Sequence, residues 1–190
     1  MLPGPARVGH PSFGILSCVN ETGSRSTADV VVVGGGIIGC SAAAIMADRG
    51  ARVVVVEGRA IGAGASGRNL GAIQHPFDPV LATLYVESLD RYRALADGPS
   101  AGAFALGRQP AGLLQLNRDP DAARRQADRM ADAFPELQPT FLGPAEVAEL
   151  EPLLVEGLTA VLLATGYPVP PAAATEAWAD LAAERGARFN

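Results

Sequence analysis

Gly34-Gly35-Gly36-Ile37-Ile38-Gly39 and Glu57 are the residues whose types and spacing point most directly to chemistry. Gly34, Gly36 and Gly39 satisfy the pattern G-x-G-x-x-G. In that pattern the first glycine permits a tight turn, and the second lets backbone approach a pyrophosphate with no Cβ in the way. The third lets a helix lie close to a strand. The phosphates then rest on a helix N-terminus, where the N–H groups of Ile37 and Ile38 and the positive end of the helix dipole offset their charge. Glu57, 23 residues beyond Gly34, suits the two ribose hydroxyls of an adenosine and repels a 2′-phosphate. That favours FAD or NAD over NADP. A second match, Gly62-Ala63-Gly64-Ala65-Ser66-Gly67, follows no strand and reads as a flexible loop.

These residues need a strand, a helix and a second strand to position them. Asp29 to Val33 and Arg52 to Val56 are β-branched runs without polar alternation, as expected of strands buried on both faces of a parallel sheet. Cys40 to Asp48 is Ala-rich with Ala43, Met46 and Ala47 at helical spacing, and Arg49-Gly50 closes it. The unit from Asp29 to Glu57 has the length of one βαβ motif. Glycines that serve only packing are the alternative reading of it. Farther on, Asp78-Pro79 and Asp119-Pro120 open helices with stripes Leu81, Tyr85, Leu89, Tyr92, Ala96 and Ala123, Ala127, Met130, Phe134. A third helix from Pro171 carries Ala174, Trp178, Leu181 and Arg185, with Trp178 read as core. Ala103 to Leu106, Gly112 to Leu116 and Leu158 to Ala164 read as strands of an antiparallel sheet.

Composition narrows the function classes. All 15 basic residues of the 190 are Arg, the net charge is −5, and no basic run offers a footprint for nucleic acid or an anionic membrane. No window reaches the apolar length of a membrane span. Cys18 and Cys40 form no metal or redox pair, which predicts a reduced, cytoplasmic chain without a metal site. Residues 1–28 are rich in Gly, Pro and Ser and are expected to be a disordered tail containing His10. Ile15-Leu16-Ser17-Cys18 resembles a lipobox but lacks the long apolar run that such a signal needs.

The stretch VVVGGGIIGCSAAAIMADRGARVVVVEGRAIGAGASGRNLGAI resembles the N-terminus of the D-amino-acid-oxidase-like FAD-dependent oxidoreductases. The resemblance implies FAD rather than NAD, with an NAD-dependent dehydrogenase as the alternative and an inactive nucleotide-binding remnant as a third reading. It implies that Ala65, Ser66, Gly67, Arg68, Asn69 and Gly71 wrap the pyrophosphate and one edge of the flavin. Gly58 and Arg59, which open that loop, complete the candidate contacts. It implies an α/β fold: a Rossmann-like FAD-binding βαβ domain with an inserted antiparallel-sheet substrate domain, both incomplete. Residues 29–100 would be the first part of the FAD-binding domain, 101–168 part of the substrate-binding domain, and 169–190 a truncated return to the FAD-binding domain. The implied reaction passes a hydride from the carbon beside an amine or amino-acid nitrogen to flavin, with oxygen or an acceptor protein reoxidising it. The groups that would hold that substrate are expected in a following half, so the chain reads as an N-terminal fragment and no catalytic residue is assigned. The resemblance would place His75 near the flavin ring, where some members attach flavin covalently through His, but a His before Pro in a loop reads rather as a surface residue; Tyr167 reads as a residue able to line the substrate pocket.

Overall fold

A computed structural model describes residues 17–19, 25–98 and 104–190. In chain order its elements are β1 (Ser17–Val19), β2 (Arg25–Thr27), β3 (Val30–Val33), α1 (Ile37–Asp48), β4 (Val53–Val56), β5 (Ala72–Ile73), α2 (Pro79–Ala96), β6 (Leu113–Asn117), α3 (Pro120–Ala133), β7 (Thr140–Leu142), α4 (Pro144–Leu150), β8 (Thr159–Leu163), β9 (Tyr167–Pro168), α5 (Pro171–Glu184) and β10 (Arg188–Phe189). Within the stretch expected to be a tail, β1 pairs antiparallel with β2. The rest of that tail, His10 included, lies outside the described residues.

The valine runs form a parallel sheet of order β10-β4-β3, with Val30 to Val33 matched one-to-one to Val53 to Val56. Burial on both faces holds for Val53, Val54 and Val55 of the central strand. It does not hold for β3, which is the outer strand and is only partly covered, with Val33 87% exposed. At the foot of the unit Asp29 and Arg52 form a two-pronged ion pair, Arg52 Nη2 to Asp29 Oδ1 at 2.7 Å and Nε to Oδ2 at 3.0 Å. The Arg52 guanidinium holds the Asp29 carboxyl down at about 2.

The main core lies where α1 and α5 pack together against this sheet. Cys40, Ala43, Ala44 and Ala47 from α1 meet Ala174, Ala177, Trp178 and Ala182 from α5, small side chains that let two helices approach closely. Leu95 and Phe104 close the same cluster. Ala103 to Leu106 was expected as a strand, but Phe104 to Leu106 form none, because Phe104 is spent as an isolated plug in this core rather than on a ladder. Leu81 also departs from its expected stripe: on α2 the fully buried positions are Leu89 and Leu95, and Leu81 is exposed.

A separate antiparallel sheet of order β6-β8-β7 covers its face with α3, through Ala127, Phe134, Leu137, Val161 and Leu163. Asp78 and Asp119 cap α2 and α3 as their sequence positions demand: Asp78 Oδ1 accepts from Val80 N at 2.8 Å, and Asp119 Oδ1 from Asp121 N at 2.9 Å. The two-stranded ladder β5-β9 joins the loop after β4 to the start of α5. The fold is therefore a Rossmann-like βαβ unit with an antiparallel sheet inserted between α2 and α5.

Candidate functional site

At the carboxyl ends of β3 and β4 the backbone turns sharply to start α1, and the glycines meet the demands set by their spacing. Gly34 adopts φ +107°, a left-handed conformation open to glycine. A Cβ on Gly39 would overlap the Gly34 carbonyl oxygen, and one on Gly36 would lie 2.9 Å from Ser66 Oγ. The helix thus sits against the turn with no room for a side chain between them.

Two side chains close on this turn from distant parts of the chain. Glu57, just past β4, accepts from Gly35 N with Oε2 at 2.7 Å and from Arg59 N with Oε1 at 2.8 Å. Those two backbone donors hold its carboxyl below the usual carboxylate range, so the group is charged near neutral pH and keeps lone pairs for further donors. Ser66 Oγ accepts from Ile37 N at 3.0 Å, which places a hydroxyl on the first turn of α1. The remaining N–H groups of that turn, those of Ile38 and Gly39, are the ones a helix start leaves to external acceptors. Val33 and Ile38 stand beside them, 87% and 82% exposed. The donor set fits the adenosine diphosphate part of a dinucleotide: amides and a dipole for phosphates, a carboxylate for ribose hydroxyls, and a side-chain-free approach between them.

The loop that follows is ordered by its own contacts, which overturns its reading as flexible. Gly62 is buried and its N donates to Gly35 O at 2.9 Å, while Ala65–Gly67 forms a turn of 3-10 helix packed on α5. Asn69 is spent inside the loop: its Nδ2 donates to Ala65 O and Ser66 O, and its Oδ1 accepts from Gly71 N at 2.8 Å. Gly71 is buried at φ +66°, where a Cβ would overlap Val169 O. Arg68 is exposed and has no ion-pair partner among the described residues. Gly58, Arg59 and Ala65 lie on the exposed rim. Gly34, Gly36, Gly39, Ile37, Ile38, Glu57 and Ser66 thus come together, and Asn69 does not present its amide to the cleft.

His75 differs most from expectation. It is 2% exposed, because Phe77, Tyr85 and Phe134 surround its ring with centroids 4.9–5.6 Å away. Its N donates to Thr165 Oγ1 at 2.8 Å, and its Nδ1 accepts from Phe77 N at 3.1 Å, supporting Phe77 at φ 55°. Burial pushes the imidazole below its ordinary value, opposed by Glu136. Tyr167 is buried and receives a bond from Arg93 Nη2 at 3.3 Å. Neither Thr165 nor Phe134 was signalled as a neighbour of His75, since contacts across 90 and 59 residues leave no local pattern. Among the described residues no group of His, Cys, Asp and Glu is placed to hold a metal, and no helix is long and apolar enough to cross a membrane.

Comparison with known proteins agrees with this geometry. The model of the family described as FAD-dependent oxidoreductase (DAO) matches residues 29–189. The chain is 37% identical over 100 residues to the tRNA 5-methylaminomethyl-2-thiouridine biosynthesis bifunctional protein MnmC of Nitrosospira multiformis, a match covering 50% of this chain and 16% of that protein. It is 51% identical over 51 residues to gamma-glutamylputrescine oxidoreductase of Escherichia coli, covering 27% and 12%. Among solved structures, L-proline dehydrogenase from P. horikoshii superposes with a TM-score of 0.71 at 28% identity, covering 85% of this chain and 43% of that one. Glycine oxidase from Bacillus cereus gives a TM-score of 0.64 at 27% identity, covering 85% and 45%. The chain spans less than half the length of these structures.

Proposed function

Since this chain belongs to the FAD-dependent oxidoreductase family, we propose that its 34–71 segment holds FAD in a protein that oxidises an amine or amino acid at the carbon beside nitrogen. The observation that carries the FAD seat is the closure of Glu57 and Ser66 on the N-terminus of α1. Glu57 accepts the ribose hydroxyls with the lone pairs that Gly35 and Arg59 leave. The N–H groups of Ile38 and Gly39 face the pyrophosphate, Ile37 N–H being held by Ser66 Oγ, and Gly34, Gly36 and Gly39 keep side chains out of its path. Gly58, Arg59, Ala65, Arg68 and Gly71 flank it, while Asn69 acts by holding the loop in shape.

FAD, when bound, supplies the acceptor for the hydride that leaves the substrate carbon. The substrate nitrogen gives up a proton, and the resulting imine takes up water to yield a carbonyl compound and an amine. Oxygen or an acceptor protein carries the two electrons onward. Relatives named for glycine, proline and gamma-glutamylputrescine support this substrate class. Segments 29–100 and 169–190 form the FAD-binding part and 101–168 the substrate-facing part. The Cys40 thiol, pushed up to about 11 by burial, is protonated near neutral pH and is given no part in the chemistry.

Titrating the purified chain with FAD and separately with NAD, followed by quenching of flavin or intrinsic fluorescence, tests the seat. FAD is expected to bind at least tenfold more tightly than NAD, and Glu57→Arg to abolish binding. Preferential NAD binding, or FAD binding indifferent to Glu57→Arg, would overturn it.

A further inference from the structure

A second hollow, of about 300 Å³, lies between α2, the Pro135–Leu137 turn and the start of β9, and shares no residue with the cradle around Gly34 and Glu57. Ala82, Val86, Leu89 and Leu137 make its walls apolar, and His75 and Glu136 stand at its polar end. His75 is 2% exposed, and its Nε2 has no hydrogen-bond partner and is closed to solvent in the unliganded chain, so a ligand reaches it only when the exposed Glu136 side chain beside it swings aside. Because Nδ1 accepts from Phe77 N, the ring proton is on Nε2, a buried donor facing the Glu136 carboxylate across 3.7 Å, beyond bonding distance. Burial keeps the ring neutral near pH 7, so donor and carboxylate do not satisfy each other as an ion pair.

We propose that this hollow binds a small molecule bearing an uncharged carboxamide on an apolar body, its carbonyl accepting from His75 Nε2–H and its amide N–H donating to Glu136. The paired demand selects the group. A carboxylate could accept from Nε2–H but would meet the negative charge of Glu136. An ammonium could pair with Glu136 but offers nothing to the imidazole N–H. A carboxamide carries an acceptor and a donor side by side, and the apolar walls take the remainder of the ligand.

The test uses the FAD-loaded chain and three probes of one shape: isobutyramide, isobutyrate and isobutylamine. Calorimetric titration is expected to show isobutyramide binding at least tenfold more tightly than the other two, and 15N NMR to show it moving the His75 Nε2–H resonance. Glu136 lies on an exposed turn, so Glu136→Ala keeps the fold; it is expected to lower isobutyramide affinity about tenfold or more and to narrow the preference over isobutyrate. Ala82→Leu, which fills the hollow from α2, is expected to abolish binding. Equal binding of the three probes, affinity unchanged by Glu136→Ala, or no isobutyramide binding at all would each overturn the proposal.

Discussion

At Gly39 one added methyl does severe damage, because its Cβ would enter the space of the Gly34 carbonyl and no flexible side chain can give way. Gly39→Val is expected to cost about 1–3 kcal/mol of stability by overpacking and to remove FAD binding. Leu153→Ala, at a 98% exposed position outside the 34–71 segment, serves as the silent control, and denaturant melts with FAD titration compare the two. His75 gives the residue-scale prediction for pH. Its pKa in the fold lies below the ordinary 6.5, with desolvation outweighing Glu136, so the unfolded chain takes up the proton first. The stability this contributes is present above about pH 6.5 and is lost as pH falls toward the folded value. Melting temperatures at about pH 7.5 and 5.5 are expected to differ less for His75→Gln than for the parent chain. An equal difference would show that the buried imidazole does not titrate in that window.

At the scale of elements, the α1–α5 contact is made almost wholly of alanines and one tryptophan, so its stability rests on close approach rather than on large interdigitating side chains. Trp178 is 5% exposed and meets Tyr92 edge-on at 6.2 Å between ring centroids. Trp178→Ala is expected to cost about 3–5 kcal/mol, read as a lowered denaturation midpoint, because alanine neighbours cannot collapse into the cavity. This helix pair also marks how far the sequence could be read. The alanine face of α1, the Trp178 stripe of α5 and the Asp-Pro caps of α2 and α3 are local patterns, and each was legible. The glycine turn and Glu57 were legible for the same reason, since a fixed spacing is imposed by one motif. What escaped depends on distant partners. β7 is a three-residue strand recognisable only against β8, Phe104 is a core plug supplied from outside any element, and His75 looked like a loop residue until Thr165 and Phe134 arrived from far along the chain. The Gly62–Gly67 loop looked flexible by composition, but Gly62 is set by its φ of +68° and Gly67 by the Gly62 carbonyl oxygen, which a Cβ there would overlap.

For the whole molecule, the FAD seat and the helix pair form one mechanical unit. Ser66 holds the N-terminus of α1 while the 65–67 turn packs on α5, so the loop that would flank the cofactor is clamped between the two helices that make the main core. Glu57 is tied to the same unit from the other side, because its N donates to Asn190 O at the end of β10 and its carboxylate takes Gly35 N. A ligand bound here is thus coupled to global unfolding rather than to fraying of a single loop. A ligand at about 100 times its dissociation constant stabilises the folded state by about 2.7 kcal/mol, which for a chain of this size raises the melting temperature by about 5–10 °C. FAD at that ratio is expected to produce such a shift in a scan followed by circular dichroism, and NAD at the same concentration a much smaller one. Ser66→Ala is expected to reduce the shift without removing it, because it deletes the bond to Ile37 N but leaves Glu57 and the glycine turn in place. A shift equal in Ser66→Ala and the parent chain would mean that the loop does not transmit binding to α1. Loss of the FAD shift in the parent chain would mean that the cradle, though assembled, does not hold the cofactor.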